Sequence, residues 1–267
     1  MLCKNCNNEL HEHDEYCSVC GAKVIRNRLT IKNLFEHLSE TFFNYDNKLL
    51  RTLIGLFIKP EDVISSYVKG VRKRYVNPIS LLGLSLTIAG LSVFIIKKFY
   101  LEYFDLKAWM MSLKIFSNEF SQQALANYST SDSMEYSSLI FSVIIPVFAL
   151  MSWAIFYDKK YNFTEHIVLY LYTMSLYSII SVFVGQLVLL ILPTYYISFV
   201  FLTYPIVLLY HCYVLKRLFS LSFGEVILKT FLFLVLFFFS YIILAIISFI
   251  IGLLIGTYDI GSLNPKG

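Results

Sequence analysis

The chain has 267 residues, of which 57% are hydrophobic and 15% are charged, and its mean hydropathy is +0.66. Soluble domains carry about 25% charged residues. This composition therefore excludes an ordinary water-soluble globular protein and indicates that lipid is the main solvent of the chain. The net charge of +4 is small, and its distribution along the chain is more informative than its size.

Four of the five cysteines lie in the first 20 residues, with the spacing Cys3-x2-Cys6-x10-Cys17-x2-Cys20. A two-residue spacer lets two thiolates bind one tetrahedral metal ion, and two such pairs leave no open coordination position. We therefore predict a structural Zn²⁺ ribbon over residues 1–23, folded by metal binding because so short a segment buries little core. A rubredoxin-like iron site and a redox dithiol are the alternatives.

Other residues of the ribbon are assigned non-metal roles. His11 and His13 are predicted to be loop residues, because four cysteines already fill the site. Gly21 follows the last cysteine, where a tight turn with positive φ is expected.

The ribbon is acidic, with Lys4 and Lys23 against four carboxylates, whereas phosphate binding needs clustered Lys and Arg. We therefore expect no nucleic acid as a partner. The absence of an apolar signal segment from the opening residues, together with the thiols, indicates a reducing, cytoplasmic N-terminus.

Residues 24–78 are basic and have helical periodicity. Thr30 and Asp46 are candidate N-caps of two amphipathic helices, and a third is predicted to begin at Pro60 and end at Gly70. The second helix is predicted to place Leu49, Leu50, Leu53 and Phe57 on one face. Two interpretations stay open: the helices lie at an anionic membrane surface, or they pack on the cytoplasmic face of the bundle.

Three stretches carry a family resemblance: "YCSVCGAK", "RLTIKNL" and "YDNKLLRTLIGLFIKPEDVISSYVKGVRKRYVNPISLL". Together they resemble a family of uncharacterised bacterial membrane proteins that pair an N-terminal zinc ribbon with a multi-span domain of unknown function. The resemblance covers about residues 3–85. It implies a polytopic inner-membrane protein and lends no activity, substrate or catalytic residue. The positions that carry it, as candidate structural or docking residues, are Arg28, Asp46, Arg51, Pro60, Tyr67, Gly70, Arg72, Tyr75, Asn77 and Pro78.

Apolar runs predict a transmembrane bundle over residues 79–257, followed by a tail at 258–267. The five predicted spans are 79–96, 138–157, 167–192, 195–215 and 227–256. The fold class is therefore an all-α polytopic membrane protein with a small N-terminal four-cysteine zinc ribbon and amphipathic juxtamembrane helices. The outer segment 97–137 is predicted to contain an aromatic helix at the outer leaflet and a polar loop, either a ligand-sensing surface or a connector.

With the N-terminus inside, most of the 22 Lys and Arg residues lie on the cytoplasmic side. This follows the positive-inside rule and predicts N-in, C-out topology in the inner (plasma) membrane. The outside residues are Lys97, Lys98, Lys107, Lys114 and Lys266. Lys97 and Lys98 either snorkel to the interface or mark a short first span.

Few ionisable groups lie within the predicted spans. Glu165 and His166 begin the third span, and His211 and Cys212 lie near the end of the fourth. The two histidines either pair, bind a metal or haem, or contact headgroups and carbonyls separately. Gln186 is expected to form an interhelical hydrogen bond. Pro146 and Pro205 are expected to kink their helices. Gly252 and Gly256 form a GxxxG pair.

Common catalytic signatures such as HExxH, GxSxG and the phosphate-binding glycine loops do not occur. We therefore expect a non-enzymatic adaptor, scaffold or sensor that docks a cytoplasmic protein at the membrane. A transporter or lipid-handling protein is the alternative. An enzyme built on Glu165, His166 and His211 is a third hypothesis with less support. The expected partners are an anionic bilayer leaflet, a cytoplasmic protein and a second copy of the chain.

Overall fold

The structure is a computed structural model. It describes residues 1–24, 48–104 and 136–255, together with residues 26, 30, 109 and 134. The chain divides into two compact units, Met1–Asn47 and Lys48–Gly267, and each is described by itself. The predicted boundaries at residues 23, 78 and 257 stay predictions.

The first unit is built around two similar turns. Its isolated antiparallel bridges join Leu2 to Glu9 and Tyr16 to Lys23. The second bridge repeats the first with residue numbers fourteen higher, which is also the offset between the two cysteine pairs. A small apolar cluster of Cys3, Leu10 and Cys17 lies between the turns. So small a cluster cannot fold the unit alone, which agrees with a fold that depends on bound metal.

The second unit begins with two short helices, α1 (Lys48–Ile58) and α2 (Pro60–Val68). Pro60 occupies the first turn of α2, and Gly70 just after it has φ +93°, so the predicted start and end of this helix are confirmed. The face predicted for α1 is partly wrong. Thr52 and Leu56 are its buried residues, whereas Leu50 and Phe57 are about half exposed. Thr52 can be buried because its hydroxyl donates to the Lys48 carbonyl.

Five long apolar helices follow, and each is long enough to cross a membrane. They are α3 (Pro78–Phe99), α4 (Ser137–Ile155), α5 (Phe163–Ile191), α6 (Tyr196–Phe219) and α7 (Phe223–Ile255). Short 3₁₀ turns lie at Leu101–Phe104 and, between α5 and α6, at Pro193–Tyr195. The described residues form no β-strand, so the predicted all-α, multi-pass fold class with five spans is confirmed.

α5 is the central helix of the bundle. It packs against α3, α4 and α6 and against both short helices. Its buried side chains join the main core, which also includes Leu56, Val63 and Leu81. α7 is peripheral: it contacts α4 and α6, and none of its apolar window is buried. The apolar side chains of Phe223–Ile247 are therefore in a position to contact lipid.

The structure tests some of the remaining predictions for the spans, and others fall outside the described residues. α3 extends to Phe99, so Lys97 and Lys98 lie in its last turn, which favours snorkelling over a short first span. Pro146 and Pro205 lie inside α4 and α6. The predicted helix after Thr30, the Asp46 cap, most of segment 97–137, Gly256 and the tail lie outside the described residues.

Candidate functional site

The four N-terminal cysteines come together in space. Their Sγ atoms all lie within 4.8 Å of one another. Two of the separations are 3.7 Å, from Cys3 to Cys20, and 3.6 Å, from Cys6 to Cys17. A tetrahedral ion with metal–sulfur bonds of about 2.3 Å would hold its ligand sulfurs about 3.8 Å apart. The four thiols therefore fit a closed, four-coordinate metal site.

Backbone hydrogen bonds within each turn aim the thiols inward. The N–H of Cys3 donates to Asn8, and the N–H of Cys17 donates to Ala22, at 2.8 and 2.9 Å. Both turns need a left-handed residue, which is Gly21 (φ +69°) in the second and Asn7 (φ +58°) in the first. The expectation for Gly21 is confirmed. Asn7 was missed, although Asn is the non-glycine residue that tolerates this conformation best.

The surroundings of Cys20 favour its thiolate. The Asn5 side chain and the Ala22 backbone N–H hydrogen-bond its sulfur and lower the pKa of Cys20 to about 6, whereas the neighbouring Cys20 sulfur and burial raise the pKa of Cys6 in the same cluster. A thiolate is the form that binds metal. His11 and His13 are exposed, and the ligand cluster does not include them.

The surface of the first unit is partly apolar. Leu2, Tyr16 and Val19 are 61%, 49% and 70% exposed. A cleft of about 220 Å³ is lined by Met1, Leu2, Leu10, Ala22 and Val24, together with Lys4 and Lys23. The surface of this unit therefore combines exposed apolar side chains with two lysines at the cleft.

In the second unit, one row of α6 side chains holds α1 and α2. Tyr210 and Tyr213 each donate a hydroxyl hydrogen bond of 3.1 Å to the carbonyls of Leu56 and Ile58, at the C-terminal end of α1. These carbonyls have no partner within their own helix. α1 and α2 therefore pack on the end of the bundle. This contact agrees with the packing interpretation and leaves the membrane-surface interpretation open.

The same row of α6 continues to Arg217, whose guanidinium binds both oxygens of Glu61 on α2, at 2.6 and 3.2 Å. This contact holds the pKa of Glu61 below its usual range. It is the geometry that arginine favours for carboxylates.

The loop from α2 to α3 is fixed by residues that carry the family resemblance. The Tyr75 hydroxyl donates to Asp62 at 2.6 Å. Burial and the Asp62 carboxylate together raise the pKa of Tyr75. Asn77 caps α3 by accepting from the Ile79 N–H at 2.9 Å. Arg72 lies 5.4 Å from the ring centre of Tyr67. Together these contacts hold the loop against α2 and the start of α3.

A buried hydrogen-bond chain joins this loop to α5. The Tyr172 hydroxyl donates to the Val76 carbonyl at 2.7 Å, and the Val76 N–H donates to Thr52 at 3.0 Å. Tyr172 is fully buried. The N–H and the carbonyl of Val76 are thus both hydrogen-bonded by side chains, one from α1 and one from α5.

The structure gives the two span histidines different partners. His166 Nδ1 lies 3.0 Å from the Ser152 hydroxyl, and its buried Nε2 has no hydrogen-bond partner among the described residues. His211 Nε2 lies 3.0 Å from Thr173, and its Nδ1 lies 2.8 Å from the Val207 carbonyl. Neither histidine belongs to a metal-ligand cluster of described residues.

Glu165 does not join the histidines. Its carboxylate accepts from the Asn162 backbone N–H at 2.7 Å and completes a capping box at the start of α5. None of the described hydrogen bonds links Glu165, His166 and His211 to one another, so the structure adds no support to the hypothesis of a catalytic group formed by these residues. The hydrogen bond expected of Gln186 is confirmed: its side-chain amide donates to Ser92 on α3 at 2.6 Å.

A cavity of about 300 Å³ lies among α4, α5, α6 and α7. Phe148, Tyr170, His211 and Phe237 are among its lining residues, and Lys229 lies toward one end. Neither this cavity nor the ion pairs Lys229–Asp158 (2.7 Å) and Arg217–Glu61 were predicted from the sequence. The single Lys inside the apolar start of α7 was the available signal, because a charge in a span needs a partner.

Residues 46–90 match the family model described as a protein of unknown function, DUF3667. The match covers α1, α2, the following loop and more than half of α3, and thus includes the contacts around Tyr75 and Val76. This segment is similar to that family, whose description names no activity. No curated protein and no solved structure matches the chain.

Proposed function

We propose that this protein is a membrane-anchored adaptor. Its N-terminal unit holds a structural Zn²⁺ through Cys3, Cys6, Cys17 and Cys20 and docks a cytoplasmic protein, while the five spans fix it in the bilayer. The observation that carries this proposal is the closed four-thiol cluster beneath an exposed apolar surface. A site filled by four thiolates has no position for catalysis, so the useful part of the unit is its outer surface.

Zinc is the proposed metal because four thiolates in a tetrahedral arrangement suit it and its folding contribution is large for peptides of this size. Iron also takes four cysteines. Elemental analysis of the purified full-length protein distinguishes them: one zinc per chain is expected, and iron with its visible absorption would overturn this assignment.

The proposed location is the inner membrane of a bacterium, with the N-terminus cytoplasmic and the basic loop at an anionic leaflet. Lys69, Arg72, Lys73 and Arg74 are exposed in the loop that precedes α3. Each basic residue beside an anionic leaflet contributes about 1 kcal/mol. Reporter fusions at either end of the chain test this topology, and a reporter active outside the cell at the N-terminus would reverse it.

Partner docking is tested by affinity purification from native membranes followed by rebinding of the purified partner. The variants Leu2→Ser and Val19→Ser change exposed apolar residues of the first unit and leave the cysteines intact. The matched control is His13→Ala, in the exposed loop between the cysteine pairs. We expect the two apolar variants to keep zinc and lose the partner, and the control to keep both.

The same comparison includes a chain that lacks residues 1–23. If this deletion and the intact protein bind identical purified partners with equal affinity, the N-terminal unit is not the docking element and the adaptor proposal fails.

A further inference from the structure

The cavity in the second unit is elongated along the helices. On α7 its lining residues recur at the spacing of one helix face: Val226, Lys229, Thr230, Phe233, Leu234 and Phe237. They extend over twelve residues, and the eleven steps between the first and the last correspond to about 16 Å of helix. On α6 the lining runs from Tyr204 to Leu215, over the same number of residues. A long, narrow apolar space of this kind suits a hydrocarbon chain better than a compact ligand.

The cavity reaches from the lipid-facing surface into the bundle. Tyr204, Leu234 and Phe237 are 58%, 44% and 40% exposed, whereas Tyr170 and His211 at its inner side are buried. Because α7 is a peripheral helix inside the bilayer, the mouth of the cavity faces hydrocarbon. A ligand that enters sideways from there is a component of the membrane.

The cavity is polar near the bilayer surface and apolar deeper in the bilayer, which matches the headgroup and the acyl chain of a lipid. Lys229 lies toward the α6–α7 connection, where both helices reach the bilayer surface, and Tyr204 and Phe237 lie deeper in the bilayer. The Lys229 ammonium donates to the Ile155 carbonyl at 3.0 Å and to Asp158 at 2.7 Å. The same Nζ lies 4.6 Å from the ring centre of Phe156, which also lines the cavity. An ammonium has three N–H donors, so one of them is not used by these two hydrogen bonds and can reach a ligand oxygen beside the ring.

The charge at this end of the bundle is positive. The segments 156–165 and 216–229 carry five Lys or Arg residues and three Asp or Glu residues. Lys159 lies 3.5 Å from the same Asp158 carboxylate that Lys229 contacts, so two ammonium groups share one carboxylate. Glu225 is occupied at the start of α7, where it accepts from the Ser222 N–H at 2.7 Å.

We propose that this cavity binds one acyl chain of an anionic phospholipid, with headgroup oxygens at the Lys229 ammonium and the chain running along α7 toward Phe237. The site is independent of the adaptor proposal and involves different residues in the other unit of the chain. Under this proposal the helix bundle recognises a specific lipid of the membrane. The proposal does not require that the lipid be transported.

The test uses full-length protein in lipid nanodiscs that contain a trace of phosphatidylglycerol or phosphatidylcholine with a photoreactive group on the acyl chain. Leu234→Trp fills the cavity. Leu232→Trp is the matched control, because Leu232 is 43% exposed on the same helix and does not line the cavity. Peptide mass spectrometry locates the labelled residues, and thermal melts show which variants remain folded.

We expect label from phosphatidylglycerol to concentrate on the lining residues of α6 and α7, to fall about tenfold in Leu234→Trp and to persist in Leu232→Trp. Both lipids carry a phosphate that can accept from Lys229, so the expected preference comes from net charge: the positive end of the bundle disfavours the choline cation. About 1 kcal/mol per basic residue corresponds to a preference of roughly five- to tenfold for phosphatidylglycerol over phosphatidylcholine. Lys229→Gln should abolish that preference, and Lys229→Arg should retain it. If Leu234→Trp does not fold, Leu208→Trp fills the cavity from the α6 side.

Labelling that is spread evenly over the exposed residues of α7, or that both tryptophan variants reduce equally, would contradict the binding of a lipid chain in this cavity. Equal labelling of the wild-type cavity by the two lipids would overturn the anionic headgroup. Neither outcome bears on partner docking by the N-terminal unit, so failure of this proposal and failure of the adaptor proposal are distinguishable.

Discussion

Substituting Gly55 with alanine is expected to loosen the contact between α1 and α2. A Cβ at this position would lie 2.8 Å from Val63 Cγ2 and 3.6 Å from Tyr75 Cε1. Val63 is fully buried and β-branched, so its methyl group has few other rotamers. Overpacking of this kind costs about 1–3 kcal/mol. The better helix propensity of alanine offsets about 1 kcal/mol, so Gly55→Ala should lower the free energy of unfolding by roughly 1 kcal/mol.

Thermal unfolding of the detergent-solubilised full-length protein measures this effect, and a loss of 1 kcal/mol corresponds to a Tm decrease of about 2–4 °C. Gly83→Ala and Gly90→Ala are controls, because a Cβ at either position meets nothing within 4 Å. The double variant Gly55→Ala/Val63→Ala should be more stable than the sum of the two single effects predicts, because Val63→Ala removes the methyl group that the new Cβ would meet. A Gly55→Ala protein with an unchanged or higher Tm would refute the contact between these helices as described.

Three further predictions concern single side chains. Cys17→Ser should lower metal content below the one equivalent expected per chain, measured by elemental analysis, with the helical circular dichroism of the spans unchanged. Tyr172→Phe should lower the free energy of unfolding by about 1–3 kcal/mol, because the buried Val76 carbonyl loses its hydrogen-bond donor. The same change at Tyr157, which is 82% exposed, should leave Tm unaltered. Glu61→Gln should cost at most about 1 kcal/mol at neutral pH. Because Arg217 lowers the folded-state pKa of Glu61, that stability is present above the ordinary Glu value of about 4.3 and disappears as the pH falls through the folded-state pKa. The Tm difference between wild type and variant should therefore shrink on acidification, and a constant difference would argue against the ion pair.

The sequence predicted the elements whose signals are local. Apolar runs of about 20 residues indicate spans regardless of what packs around them, because lipid replaces water as the solvent. Pro60 and Gly70 bound α2 through their own backbone preferences. The spacing of Cys3, Cys6, Cys17 and Cys20 groups four thiols because each pair reaches one ion from a single tight turn.

The predictions that failed depended on neighbours distant in the sequence. Periodicity placed Leu50 and Phe57 in the buried face of α1, but Thr52 lies there, because the Val76 N–H from the α2–α3 loop satisfies its hydroxyl. Glu165 and His166 are adjacent in sequence, but one caps α5 and the other faces Ser152 of α4. Adjacent helical residues point in different directions, and only the surrounding helices decide what each one meets.

The sequence by itself determined that this is an all-α, multi-pass protein whose four N-terminal cysteines have the spacing of metal ligands, since composition, run length and ligand spacing are properties of short segments. Only the tertiary structure decided that the α1–α2 pair packs on one end of the bundle, that Arg217 and Lys229 meet Glu61 and Asp158, and that four spans enclose an elongated cavity. Helices in lipid associate through shape and a few polar contacts, and both arise from side chains that are far apart in the chain.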